Sequence, residues 1–235
     1  MHPPAGRLGP PMIRAIRGRR YQILFLAAAS TFVILPLLPP GTVGWVLLTV
    51  LFTGILLAAV NTVTGVRWRF FVGLALAVSA LATIWTGQVL PNQRLLGVGM
   101  ILAAVFLALV SVAVVRNVLS APHVTTEILA GGVAVYLLIG ILWALVFAAV
   151  AVFAPGSFDI PLLANGSVAD PEGFSIVMYY SFVTMTTLGY GDILPVTRLT
   201  RSLAIALAVL GQLYLVILIA RLVALHIVHT KEHGE

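Results

Sequence analysis

Six long apolar segments, separated by short polar stretches, limit what this chain can fold into. A helix needs about 20 apolar residues to cross the hydrocarbon of a membrane, and each segment is near or above that length. Only 9% of the 235 residues are charged, against about 25% in soluble domains. The pattern therefore predicts an all-α integral membrane protein with six transmembrane helices, at about residues 21–38, 43–60, 69–87, 94–115, 126–154 and 199–229.

Positive charge is concentrated at alternate ends of these segments, as the positive-inside rule describes. Five arginines precede the first segment, and with alternating spans only Arg94, Arg198 and Arg201 fall on the opposite side. This distribution predicts a multi-pass protein of the cell membrane with both termini in the cytoplasm. Since the net charge of +6 reflects these topology signals, nucleic-acid binding is not expected.

An alternative interpretation treats residues 1–29 as a cleaved signal peptide, because arginines precede an apolar run that reaches three alanines at 27–29. The same run continues to Leu38, which favours a membrane span. The chain has no cysteine, so disulfides and thiolate metal sites are excluded.

A shorter apolar stretch, residues 174–187, lies between the last two segments and leads into Thr-Leu-Gly-Tyr-Gly-Asp at 187–192. It is too short to span a bilayer and predicts a re-entrant helix. The C-terminal end of a helix carries partial negative charge, which stabilises a cation. Gly189 and Gly191 allow backbone dihedrals in which successive carbonyls face one side. Such a row of oxygens, with the Thr187 hydroxyl added, can replace the water around a monovalent cation.

The sequence YYSFVTMTTLGYGDILPVT resembles the pore signature of potassium channels of the two-transmembrane pore-domain superfamily, whose filter pattern is T-x-G-Y-G-D. The resemblance extends over residues 127–229. Residues 1–115 resemble the four extra helices of six-span, prokaryotic-type potassium channels in number and orientation only. The implied regions are a basic cytoplasmic N-terminus (1–20), a four-helix transmembrane bundle (21–115), a linker (116–126), a pore domain (127–229) and a cytoplasmic tail (230–235). Within the pore domain they are an outer helix (127–154), a turret (155–172), a pore helix (174–187), a selectivity filter (187–191) and an inner helix (199–229).

The resemblance also implies the roles of individual residues. Potassium ions would bind the backbone carbonyls of Thr187, Leu188, Gly189 and Tyr190. Gly191 would complete the filter. Asp192 would anchor the outer end, and Thr186 would support the filter from the end of the pore helix. Tyr190 would pack against the pore-helix aromatics Tyr179 and Tyr180, for which an interfacial location remains the alternative. Because one chain supplies one filter loop, a closed ring of carbonyls implies a homotetramer.

Two positions depart from common forms of this filter. Leu188 occupies a place that is often valine, and its carbonyl alone is expected to meet the ion. Val183 occupies a place where some relatives carry a glutamate that pairs with the filter aspartate. Asp192 therefore needs another partner, or water.

The fourth apolar segment carries Arg94 and Arg116 at its two ends and no charge between them. No aspartate or glutamate occurs before Glu127. Moving one charge through 100 mV is worth about 2.3 kcal/mol, so a steep voltage response needs several charges. The sequence therefore predicts a channel without a charged voltage sensor.

Four residues of the inner helix are candidates for gating. Gly211 lies mid-span and is either a bending point, as in the family, or a site of close helix packing. Arg221 either extends to the interface or pairs with Glu127. His226 and His229 recur at helical spacing with His233, and form either a proton-sensitive gate or a solvated tail.

Together these features predict a passive, potassium-selective channel. The alternatives are a nonselective cation channel and a cation-transport subunit. An enzyme is not expected, since no nucleophile–base pair, metal cluster or phosphate loop stands out. The expected partners are the lipid bilayer and further copies of the chain. No cofactor is predicted beyond the permeant potassium ions, and the sequence identifies no regulatory partner.

Overall fold

The computed structural model describes residues 19–39, 41–60, 62, 67–89, 92–163, 167, 168 and 170–232, excepting the side chains of 67–72, 84, 87–89 and 225–232. Within these residues there are seven α-helices and a two-stranded antiparallel sheet. The helices are α1 (Arg20–Ile34), α2 (Thr42–Val60), α3 (Arg67–Val89), α4 (Gln93–Leu119), α5 (Thr126–Phe153), α6 (Pro171–Met185) and α7 (Arg198–Glu232). The strands are β1 (Phe158–Asp159) and β2 (Leu194–Pro195), and short 3₁₀ turns cover Leu35–Leu37 and Pro161–Leu163.

Among the described residues, five helices are long and apolar enough to cross a membrane. They are α1 with its 3₁₀ turn, α2, α4, α5 and the part of α7 that ends at Ala224. In α3, the described apolar helix covers Gly73–Thr83, which is shorter than a bilayer requires. A largely helical protein suited to a membrane is thus confirmed, and the sixth span stays a prediction.

The helix ends follow local chemistry. α1 ends at Ile34, short of the predicted residue 38, because Pro36 has no N–H to donate and the chain tightens into a 3₁₀ turn. The Asn92 side chain accepts hydrogen bonds from the N–H groups of Arg94 and Leu95, which begins α4. The Thr125 side chain accepts from Ile128 in the same way and begins α5.

α5 lies at the centre of the fold and packs against α1, α4, α6 and α7. In its most apolar part, 61% of the residues are buried. Glycines allow the close approach of its neighbours: a Cβ on Gly131 would lie 3.1 Å from the Tyr21 ring, and one on Gly97 would lie 2.8 Å from Phe153. Small residues at helix contacts are typical of membrane proteins, where packing replaces the hydrophobic driving force.

α7 is packed very differently. Only 17% of the residues in its apolar part are buried within the chain. The apolar side chains exposed on it are Leu199, Ile205, Val209, Leu210, Leu213, Val216, Ile217, Ile219 and Val223. This surface needs lipid or other protein chains to cover it.

Candidate functional site

The site begins with α6, a 15-residue helix that lies directly on the backbone of α5. The Ser181 hydroxyl donates to the carbonyl of Gly140 at 2.8 Å. A Cβ on Gly140 would overlap the ring of Phe182, so only glycine admits this ring. Together these contacts fix the position of α6 against the central helix.

Both ends of α6 lie earlier than the predicted range of 174–187. The helix starts at Pro171, because proline suits the first helical turn, where no N–H is needed. It stops at Met185, because Thr187 has a φ of 59°, outside the range of a right-handed helix. The turn leads directly into the predicted filter.

The first two peptide groups of the predicted filter are held by one backbone oxygen. The N–H groups of Leu188 and Gly189 both donate to the carbonyl of Val183, at 3.0 and 3.3 Å. The described residues contain no cis peptide bond, and in a trans peptide the C=O points opposite to the N–H. The carbonyls of Thr187 and Leu188 therefore both point away from α6, on the same side.

Left-handed backbone recurs at every second residue of this segment. The φ angles are 59° at Thr187, 56° at Gly189 and 80° at Gly191. Alternating handedness keeps successive carbonyls on one side, whereas an ordinary strand alternates them. The sequence predicts unusual dihedral angles for the two glycines and not for Thr187, because threonine normally avoids left-handed backbone. The feature that could have predicted it is the position of Thr187, two residues before Gly189.

The outer end of the segment is held by Tyr179. Its hydroxyl donates to Asp192 Oδ2 at 2.7 Å. Its ring stacks on Tyr190, with 6.4 Å between ring centroids and 12° between planes. This contact supplies the partner that Asp192 lacks at Val183, whose side chain is buried and apolar.

Tyr180, the neighbouring candidate, packs elsewhere. Its ring meets Phe147 edge-on at 5.1 Å and Phe158 at 5.5 Å. Consecutive helical residues point about 100° apart, so only one of two adjacent tyrosines can face Tyr190. Within the described chain that residue is Tyr179, and Tyr180 instead joins α6 to α5 and β1.

The hydrogen bond to Asp192 raises the pKa of Tyr179 to about 12, above its ordinary value of 10. A raised tyrosine pKa means that folding favours the protonated, donating form. The stabilisation is fully present below pH 10 and is lost as pH rises through about 12. External pH between 7 and 10 is therefore expected to leave this anchor intact.

For the potassium filter predicted from the sequence, replacing Tyr179 with phenylalanine is expected to raise the sodium permeability relative to potassium by about threefold to tenfold, since the charge-assisted bond to Asp192 is lost while the ring remains. Reversal potentials under opposed potassium and sodium solutions measure this ratio. Tyr180→Phe, which removes the hydroxyl of the adjacent tyrosine on α6, is the matched control. Equal ratios in the two variants would contradict the anchoring role.

The chain that follows the predicted filter is bonded to the turret. These contacts were not predicted from the sequence. β2 pairs with β1, and the carbonyl of Ser157 accepts from Val196 N–H and from the Thr200 hydroxyl, both at 3.0 Å. Thr197 and Thr200 also bond to one another at the start of α7. The sequence feature that could have predicted this helix start is a pair of threonines three residues apart before an apolar run, which is a form of helix capping.

Residues 127–226 match a family model described as "Ion channel". This part of the chain is similar to the proteins of that ion-channel family. The match runs through α5, the turret, α6, the filter and most of α7, and leaves α1 to α4 outside it. The resemblance to two-transmembrane pore-domain channels is thus confirmed for this segment. Searches of curated proteins and of solved structures found no significant match.

In the channel segment, Gly211 contacts the end of α6. A Cβ on Gly211 would lie 2.6 Å from Met185 Cγ and 2.7 Å from the Met185 carbonyl oxygen. The next residue, Gln212, donates from its amide to the same carbonyl at 3.4 Å. α7 is one uninterrupted helix through this point. Of the two interpretations of Gly211, these contacts favour close packing.

Of the two interpretations of Arg221, the pair with Glu127 is not formed, because each group bonds to the backbone at a helix end. Arg221 donates to the carbonyls of Leu119 at 3.1 Å and Ala121 at 3.3 Å, where α4 ends. Glu127 accepts from the N–H of Tyr21 at 2.7 Å, at the first turn of α1. Helix ends leave such backbone groups unpaired. The side chains of His226 and His229, and all of His233, lie outside the described residues.

Proposed function

We propose that the chain is a potassium-selective channel that conducts K⁺ passively across the membrane. The observation that carries this proposal is the common direction of the Thr187 and Leu188 carbonyls, continued by the alternating backbone through Gly191. Carbonyls arranged in this way replace the hydration shell of a dehydrated cation. The sequence at 187–192 supports potassium in particular, since it carries the potassium-channel pattern unbroken.

The working form is a homotetramer, because one chain supplies one row of carbonyls and an ion needs oxygens around it. Two observations support further copies. Residues 186–192 are all exposed in the single chain, and the ring of Tyr190 is 66% exposed. The apolar surface of α7 is also uncovered. Closed rotational symmetry would bring both features against neighbouring subunits.

The arginine distribution supports insertion in the cell membrane with both termini in the cytoplasm. The filter exit and the acidic turret then face outward. The regions assigned from the sequence, including a bundle made by the first four apolar segments, form part of the same proposal.

Two rival functions receive less support. A nonselective cation channel would not be expected to keep both glycines and a stacked Tyr190. A coupled transport subunit usually carries carboxylates within its spans. Here Glu127 lies in the first turn of α5, and the other six acidic residues all follow Phe153 in the sequence. In the part of α7 that is apolar enough to span, Arg198–Ala224, there is no acidic residue. The match to an ion-channel family also favours a channel over an enzyme.

The decisive test is the reversal potential of the purified protein in a bilayer that contains no other channel. With opposed potassium and sodium solutions, we expect the reversal potential to follow the potassium gradient. A reversal potential near zero would favour the nonselective channel, and transport without unitary currents would favour the transport subunit.

The lack of charged residues within the fourth apolar helix predicts weak voltage dependence. α4 carries Arg94 in its first turn and Arg116 in its last, with no charged residue between. We expect a conductance–voltage curve that requires less than about one gating charge per subunit. A steeper curve would mean that charge outside α4 crosses the membrane field.

A further inference from the structure

The N-terminal helices touch the pore helix α6 directly. Phe32, near the end of α1, meets the ring of Phe182 edge-on, with 4.7 Å between centroids and 72° between planes. This geometry is the favourable one for two aromatic rings. Phe182 lies in the last turn of α6 and projects into the space that Gly140 leaves on α5. The ring is therefore held between α5 and α1.

A second contact holds the other end of α6. The buried ring of Phe52, on α2, meets Phe174 edge-on at 5.3 Å and 80°. Beside it, a Cβ on Gly44 would lie 3.6 Å from the side chain of Pro171. The first two helices thus support both ends of α6, although the ion-channel family match begins only at residue 127.

Phe182 is connected to the filter by the backbone. Its carbonyl accepts from Thr186 N–H at 2.9 Å and from the Thr186 hydroxyl at 2.7 Å. The next residue, Val183, provides the oxygen that holds Leu188 and Gly189. A shift of the Phe182 ring would move that oxygen, since adjacent residues of a helix move together. The two filter peptides would then lose their common acceptor.

We propose that Phe32 is a positioning residue for the selectivity filter, acting through Phe182 on the carbonyl of Val183. The N-terminal bundle then has a direct role in conduction that needs no charged helix and no movement in response to voltage. On one side the Phe182 ring packs against α5, which is part of the predicted pore domain. On the other side it packs against α1, which is not. This inference rests on the proposed function.

The test is a double-mutant cycle on the full-length protein in potassium-containing bilayers, with Phe32→Leu, Phe182→Leu and the double variant. Phe32→Leu is expected to raise relative sodium permeability about tenfold and to shorten conducting bursts by a similar factor, because the ring contact is lost in four subunits. The double variant should be no worse than Phe182→Leu alone, since both changes remove one contact.

Phe25→Leu is the matched control, because Phe25 lies on the same helix two turns earlier and packs against the buried core. It should change thermal stability but leave permeability ratio and burst length near wild type. The positioning role is overturned if Phe32→Leu and Phe25→Leu have the same permeability ratio and burst length. It is also overturned if the effects of Phe32→Leu and Phe182→Leu on these quantities are additive in the double variant. If the wild-type protein shows no potassium selectivity, the proposed function itself is contradicted, independently of the result for Phe32→Leu.

Discussion

Replacing Gly189 with alanine is expected to abolish potassium conduction while the helices remain assembled. Gly189 has a φ of 56°, and a Cβ there would meet no atom within 4 Å in the single chain. The cost is therefore conformational, about 1–2 kcal/mol for an L-residue in left-handed backbone. Four subunits bring this to about 4–8 kcal/mol, which lowers the population of the conducting filter by roughly three to six orders of magnitude.

Gly156→Ala is the matched control for this experiment. Gly156 has a φ of 81° and equally open surroundings, but it lies in the turret. The same conformational penalty should lower thermal stability there without removing selectivity. Unitary currents and potassium-dependent reversal potentials compare the two variants. Normal selectivity in Gly189→Ala would show that the left-handed backbone at this residue is not needed for conduction.

The second large effect is expected at Gly211. Alanine there would bring its Cβ to 2.7 Å from a backbone oxygen of Met185, which cannot rotate out of the way as a side chain can. α7 must then move away from α6, and overpacking of this kind costs about 1–3 kcal/mol. We expect a lower thermal transition for the assembled protein, with weaker support beneath the filter.

Gly54→Ala distinguishes this effect from a general change in helix propensity. Gly54 lies within α2 with no atom near its added Cβ, so alanine should stabilise that helix by up to about 1 kcal/mol. The two substitutions are thus expected to have opposite signs in thermal unfolding. If Gly211→Ala leaves stability unchanged and slows only channel opening, the bending interpretation is correct and close packing is not the main role.

The left-handed backbone of Gly189 and Gly191 could be predicted from the sequence because its chemistry is local. Two glycines two residues apart allow one backbone path, and the surrounding residues carry a specific pattern. The left-handed Thr187 was missed because its own type disfavours that conformation, and the hydrogen bonds to Val183 impose it. The division of labour between Tyr179 and Tyr180 was equally inaccessible, because it depends on the rotation of α6 about its axis.

The interpretation that paired Arg221 with Glu127 failed for a different reason. Opposite charges near the same membrane surface suggest an ion pair, but helix ends offer competing partners that a sequence does not locate in space. Arg221 donates to two carbonyls where α4 ends, and Glu127 accepts from the N–H of Tyr21 at the start of α1. Both arrangements also match the sign of the helix dipole.

The double acceptor at Val183 has a consequence for how such a filter can vary. The oxygen that holds Leu188 and Gly189 belongs to the main chain, so no substitution of the residue's side chain deletes it. Amino-acid changes at 183 can therefore alter the buried contacts of this side chain while the main-chain support persists. The outer end of the segment is anchored independently of this position, by the bond from Tyr179 to Asp192.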